Sequence, residues 1–206
     1  DLIALDEQLF VVVVADATGH GLQAALQVRD VFTGLRMGLS REFKLTRTLE
    51  RLNRIIHRSR LATKFVSLFL AEIHPNGTVL YCNAGHPAAL WVGADGTIDR
   101  LAASGMILGP TPSASYSIRI AEMQPGDLLV LYTDGITEAQ ATTSREEYGE
   151  DRLAHVVRAA RHQDPVAIVD RVFSDIAEYS RATPPADDQT IVVVKRRPQE
   201  QEDTPA

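Results

Sequence analysis

Only one cysteine, Cys82, occurs in the chain. That excludes an internal disulfide and any cysteine-built zinc cluster, and with them the small secreted scaffolds that depend on such staples. A lone cysteine fits a reducing compartment, and a cytoplasmic location is the expectation. Long apolar runs are missing too: nothing approaches the roughly 18 to 20 uninterrupted apolar residues of a membrane span, and the N-terminus has no basic-then-apolar signal pattern. No membrane contact is expected of this chain. Basic charge is short, with 21 Lys and Arg against 27 Asp and Glu for a net charge of -6, which argues against a broad electrostatic grip on nucleic acid. What the chain does have is 206 residues, 45% of them hydrophobic, enough for one large domain with its own core.

The apolar run from Leu9 to Ala15 is nearly all valine, and a stretch so short, β-branched and unbroken reads as a strand buried on both faces, stopping at Asp16. After the turn Ala17-Thr18-Gly19-His20-Gly21, Leu22, Leu26, Phe32, Leu35 and Leu39 follow a helical pattern. Beyond a polar break at Ser40 to Phe43, Leu45, Leu49, Leu52 and Ile56 mark one face of a second helix, while Arg47, Arg51, Arg54 and Arg58 mark another, read as a solvated face. From Lys64 the period changes to two. Strands are predicted at Phe65 to Ile73, Thr78 to Asn83, Ala88 to Val92, Thr97 to Leu101, Tyr116 to Ile120 and Leu128 to Thr133, with turns at Pro75-Asn76-Gly77 and Asp95-Gly96. Two helices follow, the second starting at Pro165, then a last strand at Thr190 to Val194. The tail 198–206 is polar and is expected to be disordered. This order does not alternate as βαβ units do, and it predicts an α+β fold with sheet packed on sheet and helices outside.

Three aspartates share an address at the rim of a buried strand: Asp16 after the valine run, Asp134 after Leu128 to Thr133, and Asp187, with Asp188, before Thr190 to Val194. A carboxylate there is costly unless paired or metal-bound. Oxygen donors without cysteine or paired histidines favour Mg²⁺ or Mn²⁺ over Zn²⁺. The plainer alternative is that Asp16 caps the next helix, Asp134-Gly135 is a turn and Asp187 is a loop acid. A third reading makes Asp16 the nucleophile of an aspartyl-phosphate enzyme. The second acid that such enzymes carry two residues later is here Thr18, and the all-β middle contradicts their alternating fold.

The segments Asp16-Ala17-Thr18-Gly19-His20-Gly21, Asn83-Ala84-Gly85-His86-Pro87, Pro125-Gly126-Asp127, Tyr132-Thr133-Asp134-Gly135-Ile136-Thr137-Glu138-Ala139 and Asp187-Asp188-Gln189-Thr190 occur in that order. Together they resemble the bacterial PP2C-like serine phosphatases of the SpoIIE and RsbU type, over residues 1–197. The resemblance implies a four-layer αββα sandwich of two antiparallel sheets flanked by helices. It implies a centre of two Mn²⁺ or Mg²⁺ ions and hydrolysis of phosphoserine or phosphothreonine on proteins. The partner it implies is a phosphorylated STAS-domain anti-anti-sigma factor in a sigma-factor pathway, with an upstream sensor domain in the full-length chain. Carried over by position, Asp16 resembles the bridging carboxylate, Ala17 the carbonyl ligand, and Asp134 and Asp187 the later metal ligands, with Asp188 adjoining. The catalytic candidates are thus Asp16, Asp134 and His20, the last as proton donor to the leaving serine oxygen. His86 reads as a hydrogen-bonding residue of a tight loop. Relatives open with a Gly-Gly-Asp-x-x-Asp segment of which only the second aspartate, Asp1, is present here, so the expectation is a trimmed N-terminal motif. From that follows an alternative, a catalytically weak domain that binds a STAS-type partner without turnover. The helix pair of residues 21–58 has two readings, a cover for one sheet face or a switch that moves Ala17.

Overall fold

The computed structural model describes residues 1–19, 21–39, 45–59, 65–142, 144–181 and 183–197. His20, the break at Ser40 to Phe43, the change of period at Lys64 and the tail 198–206 lie outside the described residues. The elements run β1 (Leu2–Ala4), β2 (Phe10–Ala17), α1 (Leu22–Gly38), α2 (Leu45–Arg58), β3 (Val66–Ile73), β4 (Thr78–Ala84), β5 (Ala89–Val92) and β6 (Ile98–Leu101). Then follow β7 (Arg119–Glu122), β8 (Leu128–Tyr132), α3 (Asp134–Thr137), α4 (Glu150–Ala160), α5 (Pro165–Tyr179) and β9 (Ile191–Lys195).

Two sheets result, β1-β2-β3-β4-β7 and β6-β5-β8-β9, and every pairing between these strands is antiparallel. The valine run shows how they stack. Successive side chains of a strand point to opposite faces. Val11 and Val13 therefore join the buried cluster of α1 and α2 (Val31, Leu35, Leu49, Leu52), whereas Val12 and Val14 join Phe69, Trp91, Leu129 and Leu131 between the sheets. On β8 the same alternation sends Leu128, Val130 and Tyr132 to Leu153, Val157, Ile168 and Val172 of α4 and α5. A run apolar on both faces is what a strand sandwiched between helices and a second sheet requires, and the result is four layers, αββα, in an α+β fold. Trp91 and Cys82 are buried, as their strand-like surroundings predict.

The boundaries differ in places. β2 does not stop at Asp16 but continues through Ala17, because β3 supplies ladder partners for both: Asp16 faces Ser67 and Ala17 faces Val66. β7 is Arg119–Glu122, paired with Thr78–Tyr81, rather than Tyr116 to Ile120. Tyr116 instead turns its ring into the cluster beneath α1 and α2 and makes a single bridge to Gly105. β1 has no counterpart in the sequence reading, three residues being too short to show a period. α5 begins as predicted, with Pro165 in its first turn and the Asp164 carboxylate accepting the Ala167 N–H at 3.0 Å.

Candidate active site

Asp16 lies at the end of β2 in one sheet, Asp134 opens α3 directly after β8 in the other, and Asp187 sits in the loop that leads into β9. These three and Ala17 line one cavity of about 350 Å³, together with Ser67, Gly85 and Ile107. A second cavity continues from Asp16 and Asp187 past Asp188 to Ala24 and Val28 of α1. The four positions that the sequence marks as metal ligands are thus brought together from both sheets. The helix-capping alternative for Asp16 does not hold, since the N-cap of α1 is Gly21 and Asp16 itself lies within β2.

Among the described residues no cation offsets the cluster. Burial pushes the Asp16 carboxyl above the usual carboxylate range, and the charges of Asp134, Asp187 and Asp188 push it further, against a hydrogen bond from the Ala17 backbone that favours the anion. Glu138, at the end of α3, is raised chiefly by Asp134. None of these acids forms an ion pair with a described residue. Oxygen donors gathered without a cation suit a hard divalent ion, and the donor chemistry fits Mg²⁺ or Mn²⁺. The set is open, however: among the described residues no three of His, Cys, Asp or Glu converge tightly enough to hold one ion as they stand.

The Asp187–Asp188 loop is fastened to the start of α3 by side chains that the sequence reading did not single out. The Thr133 hydroxyl donates to the Asp188 carbonyl at 2.9 Å and accepts the Thr190 N–H at 2.9 Å. The Gln189 amide donates to the Gly135 carbonyl at 2.9 Å. Gly135 has no room for a side chain, because a Cβ there would lie 2.5 Å from the Asp188 carbonyl oxygen. The only signal for these roles is adjacency, Thr133 and Gly135 flanking Asp134 and Gln189 following Asp188.

Two further residues meet at the opposite wall. Ser67 Oγ lies 2.8 Å from His86 Nδ1, and the His86 N–H donates to the Asn83 side-chain oxygen at 2.8 Å. Asn83 in turn donates to the Leu101 carbonyl at 3.2 Å. His86 is 5% exposed, and burial lowers its pKa to about 4 despite the Tyr132 carbonyl and the Asp134 charge, so the ring is neutral at pH 7. Ser67 was not singled out by the sequence; it becomes visible only once β3 is paired with β2.

A two-sheet sandwich with acids from both sheets converging at one rim is the frame of the PP2C-like phosphatase domains. Residues 6–197 match the family model described as Stage II sporulation protein E (SpoIIE), and the chain belongs to that family. Among its relatives, phosphoserine phosphatase RsbU of Bacillus subtilis (strain 168) is 27% identical over 137 residues, 66% of this chain and 41% of the relative. Phosphoserine phosphatase RsbP of the same strain is 22% identical over 197 residues, 92% of this chain and 46% of the relative. Among solved structures, the RsbU and RsbW domains of Rv1364c from Mycobacterium tuberculosis superpose with a TM-score of 0.78 at 27% identity, covering 96% of this chain and 54% of that one. The SiaA-PP2C domain of Pseudomonas aeruginosa superposes with a TM-score of 0.79 at 19% identity, over 92% and 77%. The chain spans less than half the length of these two Bacillus relatives.

Proposed function

We propose that residues 1–197 form a metal-dependent protein phosphatase domain that hydrolyses phosphoserine or phosphothreonine on a protein substrate. The observation that carries this reading is the gathering of Asp16, Asp134 and Asp187 in one cavity with no described cation paired to them. The names of RsbU and RsbP support the substrate class. A phosphorylated STAS-domain anti-anti-sigma factor is the proposed partner. The proposed setting is the cytoplasm, and among the described residues no helix is long and apolar enough to cross a membrane.

In this reading Asp16, the Ala17 carbonyl, Asp134 and Asp187 hold two Mn²⁺ or Mg²⁺ ions. Bound there, divalent ions supply the positive charge that offsets the phosphoryl oxygens and makes a water acidic enough to attack at neutral pH. Asp16 links the two halves of the site, since it stands on one sheet while Asp134, after β8, and Asp187, before β9, flank strands of the other. Thr133, Gln189 and Gly135 fix the spacing of the last two, so that the phosphoryl group meets a preset arrangement instead of organising one. Asp187 and Asp188 are exposed, which leaves the mouth open to a phosphoserine on a folded protein. His20 is the proposed proton donor to the leaving serine oxygen.

The test is hydrolysis of p-nitrophenyl phosphate and of a phosphoserine protein with Mn²⁺ added and then chelated. Activity is expected to appear with Mn²⁺ and vanish with chelator, and Asp134→Asn is expected to cost more than the roughly 10- to 100-fold that loss of an outer partner of a metal ligand costs. Full activity of Asp134→Asn in saturating metal would sink the reading.

A further inference from the structure

Asp187 also lines a further cavity, of about 370 Å³, that the site as argued so far does not use. Part of its lining is apolar, with Phe173, Ile176 and Ala177 of α5 and Ala139 beyond the end of α3. Two more acids line it, Glu138 and Glu147, both exposed. Among the described residues neither forms an ion pair. Asp134 raises the Glu138 pKa most, and desolvation and the charges of Glu147 and Asp187 add to it, so every charge that acts on this carboxyl is of its own sign. The walls are fastened. Gln140 and Glu147 form an antiparallel bridge, and the Tyr148 N–H donates to the Ala139 carbonyl at 2.8 Å. The Tyr179 hydroxyl on α5 lies 3.1 and 3.0 Å from the Glu146 and Glu147 carbonyls, and the Thr142 hydroxyl donates to the Ser180 carbonyl at 2.7 Å. Arg152, 4.6 Å over the Tyr179 ring, is engaged by Asp175 at 2.8 Å and does not serve the two glutamates. A cavity held in this way is formed before its occupant arrives, which lowers the ordering cost of filling it.

We propose that this cavity receives a lysine or arginine side chain of the substrate protein, from the stretch of chain beside the phosphoserine, and that Glu138 and Glu147 select it. The inference rests on the phosphatase reading and deepens it by naming a feature of the substrate. Charge and polarity choose the occupant. Apolar lining next to exposed carboxylates suits a side chain with an aliphatic stem and a cationic end, which lays its stem on apolar surface and keeps its head in water. A wholly apolar side chain would leave the two glutamates without a counter-charge, and an acidic one would be repelled by them and by Asp187. Continuity chooses the source. Asp187 lines both this cavity and the one that holds Asp16 and Asp134. A chain that presents its phosphoserine to those acids, at about 3.3–3.6 Å per extended residue, therefore meets the second cavity within a few residues. A pair formed at an exposed rim acts mainly on which substrate is taken, and less on how tightly any substrate is held.

The experiment measures kcat/KM with Mn²⁺ on synthetic phosphoserine peptides in an alanine-rich host, with a single lysine moved from about three residues before the phosphoserine to about three after it. One or two lysine positions are expected to raise kcat/KM about three- to tenfold over the lysine-free peptide, the scale of two partly exposed charge pairs. Arginine at those positions is expected to act alike and glutamate to lower kcat/KM, and the lysine gain should shrink in about 0.5 M NaCl. Glu138→Gln and Glu147→Gln are each expected to reduce the ratio of lysine peptide to lysine-free peptide, and the double variant to bring it within twofold of unity. The ratio compares two peptides on one variant, so a general change in metal affinity or turnover cancels. Glu147→Lys is expected to reverse the preference toward the glutamate peptide, which loss of a merely structural contact would not do. Equal kcat/KM for all peptides, no turnover of any peptide by a parent that hydrolyses p-nitrophenyl phosphate, or a lysine preference that survives the double variant would each overturn the inference while leaving the phosphatase reading in place. A parent with no Mn²⁺-dependent hydrolysis of p-nitrophenyl phosphate would overturn both.

Discussion

A histidine in water is half protonated near pH 6.5, and His86 is held neutral to about pH 4. The sign of the stability effect follows. Between those two values the unfolded chain binds a proton that the folded chain refuses, so the stabilisation is full above pH 6.5 and is lost as pH falls toward 4, by at most about 3 kcal/mol. The expected outcome, measured by urea unfolding in chelator, is a loss between pH 6.5 and 4 that is absent or much smaller in His86→Gln. A His86 ring signal that titrates near pH 6.5 would contradict it. At this scale the sequence is readable where a residue's own type and address are enough to pick it out as a lining residue of the cavity. Asp16, Asp134 and Asp187 stand out because an acid at the rim of a buried strand is expensive without a partner. Ser67, Thr133 and Gln189 do not, because their value comes from what lies across a ladder or a loop. Ser67 is an ordinary polar residue at the start of an apolar strand until register places it beside His86 and opposite Asp16.

The elements were largely legible, since each follows from a period. The valine run, the β8 run and the leucine face of α2 all appear where their spacing puts them. Arg47, Arg51, Arg54 and Arg58 do form the exposed side of α2. The period does not show what an element is fastened to. Asn53 stands on the apolar face of α2, fully buried, where it accepts the Gly109 N–H at 2.8 Å and donates to the Thr111 carbonyl at 2.7 Å. His57, one turn later, lies 2.8 Å from the Gly109 carbonyl. The clasped loop carries Ile107, which lines the cavity, and Leu108, which bridges to Val66 next to Ser67. Asn53→Ala strips the buried Gly109 N–H of its partner, at about 1–3 kcal/mol, and leaves the Thr111 carbonyl with only the Ala114 N–H at 3.4 Å. The expected outcome is a loss of about 1–3 kcal/mol in urea unfolding together with a lower kcat, since the loop forms one wall of the cavity. A variant that loses stability but keeps full kcat would show that α2 covers the sheet without bearing on the cavity. No single-sequence pattern could reveal this clasp, because its two halves are more than fifty residues apart.

For the whole molecule, the two sheets decide both where the site is and what it costs. Sheet-on-sheet packing brings the end of β2 against the ends of β8 and β9, which places Asp16 from one sheet among Asp134, Asp187 and Asp188 from the other. The chain as a whole is already at -6, and here it concentrates acids whose charges raise the pKa values of Asp16 and Glu138. A fold selected only for stability would not do this; in the proposed phosphatase reading these charges are retained for function against the preference of the scaffold. Removing one of them should therefore separate stability from function. In chelator, Asp16→Asn relieves repulsion and desolvation together, and because the mouth is open to solvent the gain is modest. The melting temperature is expected to rise by roughly 2–4 °C, the shift that about 1 kcal/mol gives a domain of this size. With Mn²⁺ the order reverses. At a hundredfold excess over its Kd a bound ion adds about 2.7 kcal/mol to the parent, which should overtake a variant that has lost the carboxylate linking the two sheets. Thermal scans of parent and variant, each with chelator and with Mn²⁺, are therefore expected to cross. If Asp16→Asn melts below the parent in chelator and still gains as much from Mn²⁺, Asp16 is neither a source of repulsion nor a ligand, and the acids at the sheet rims are ordinary loop residues.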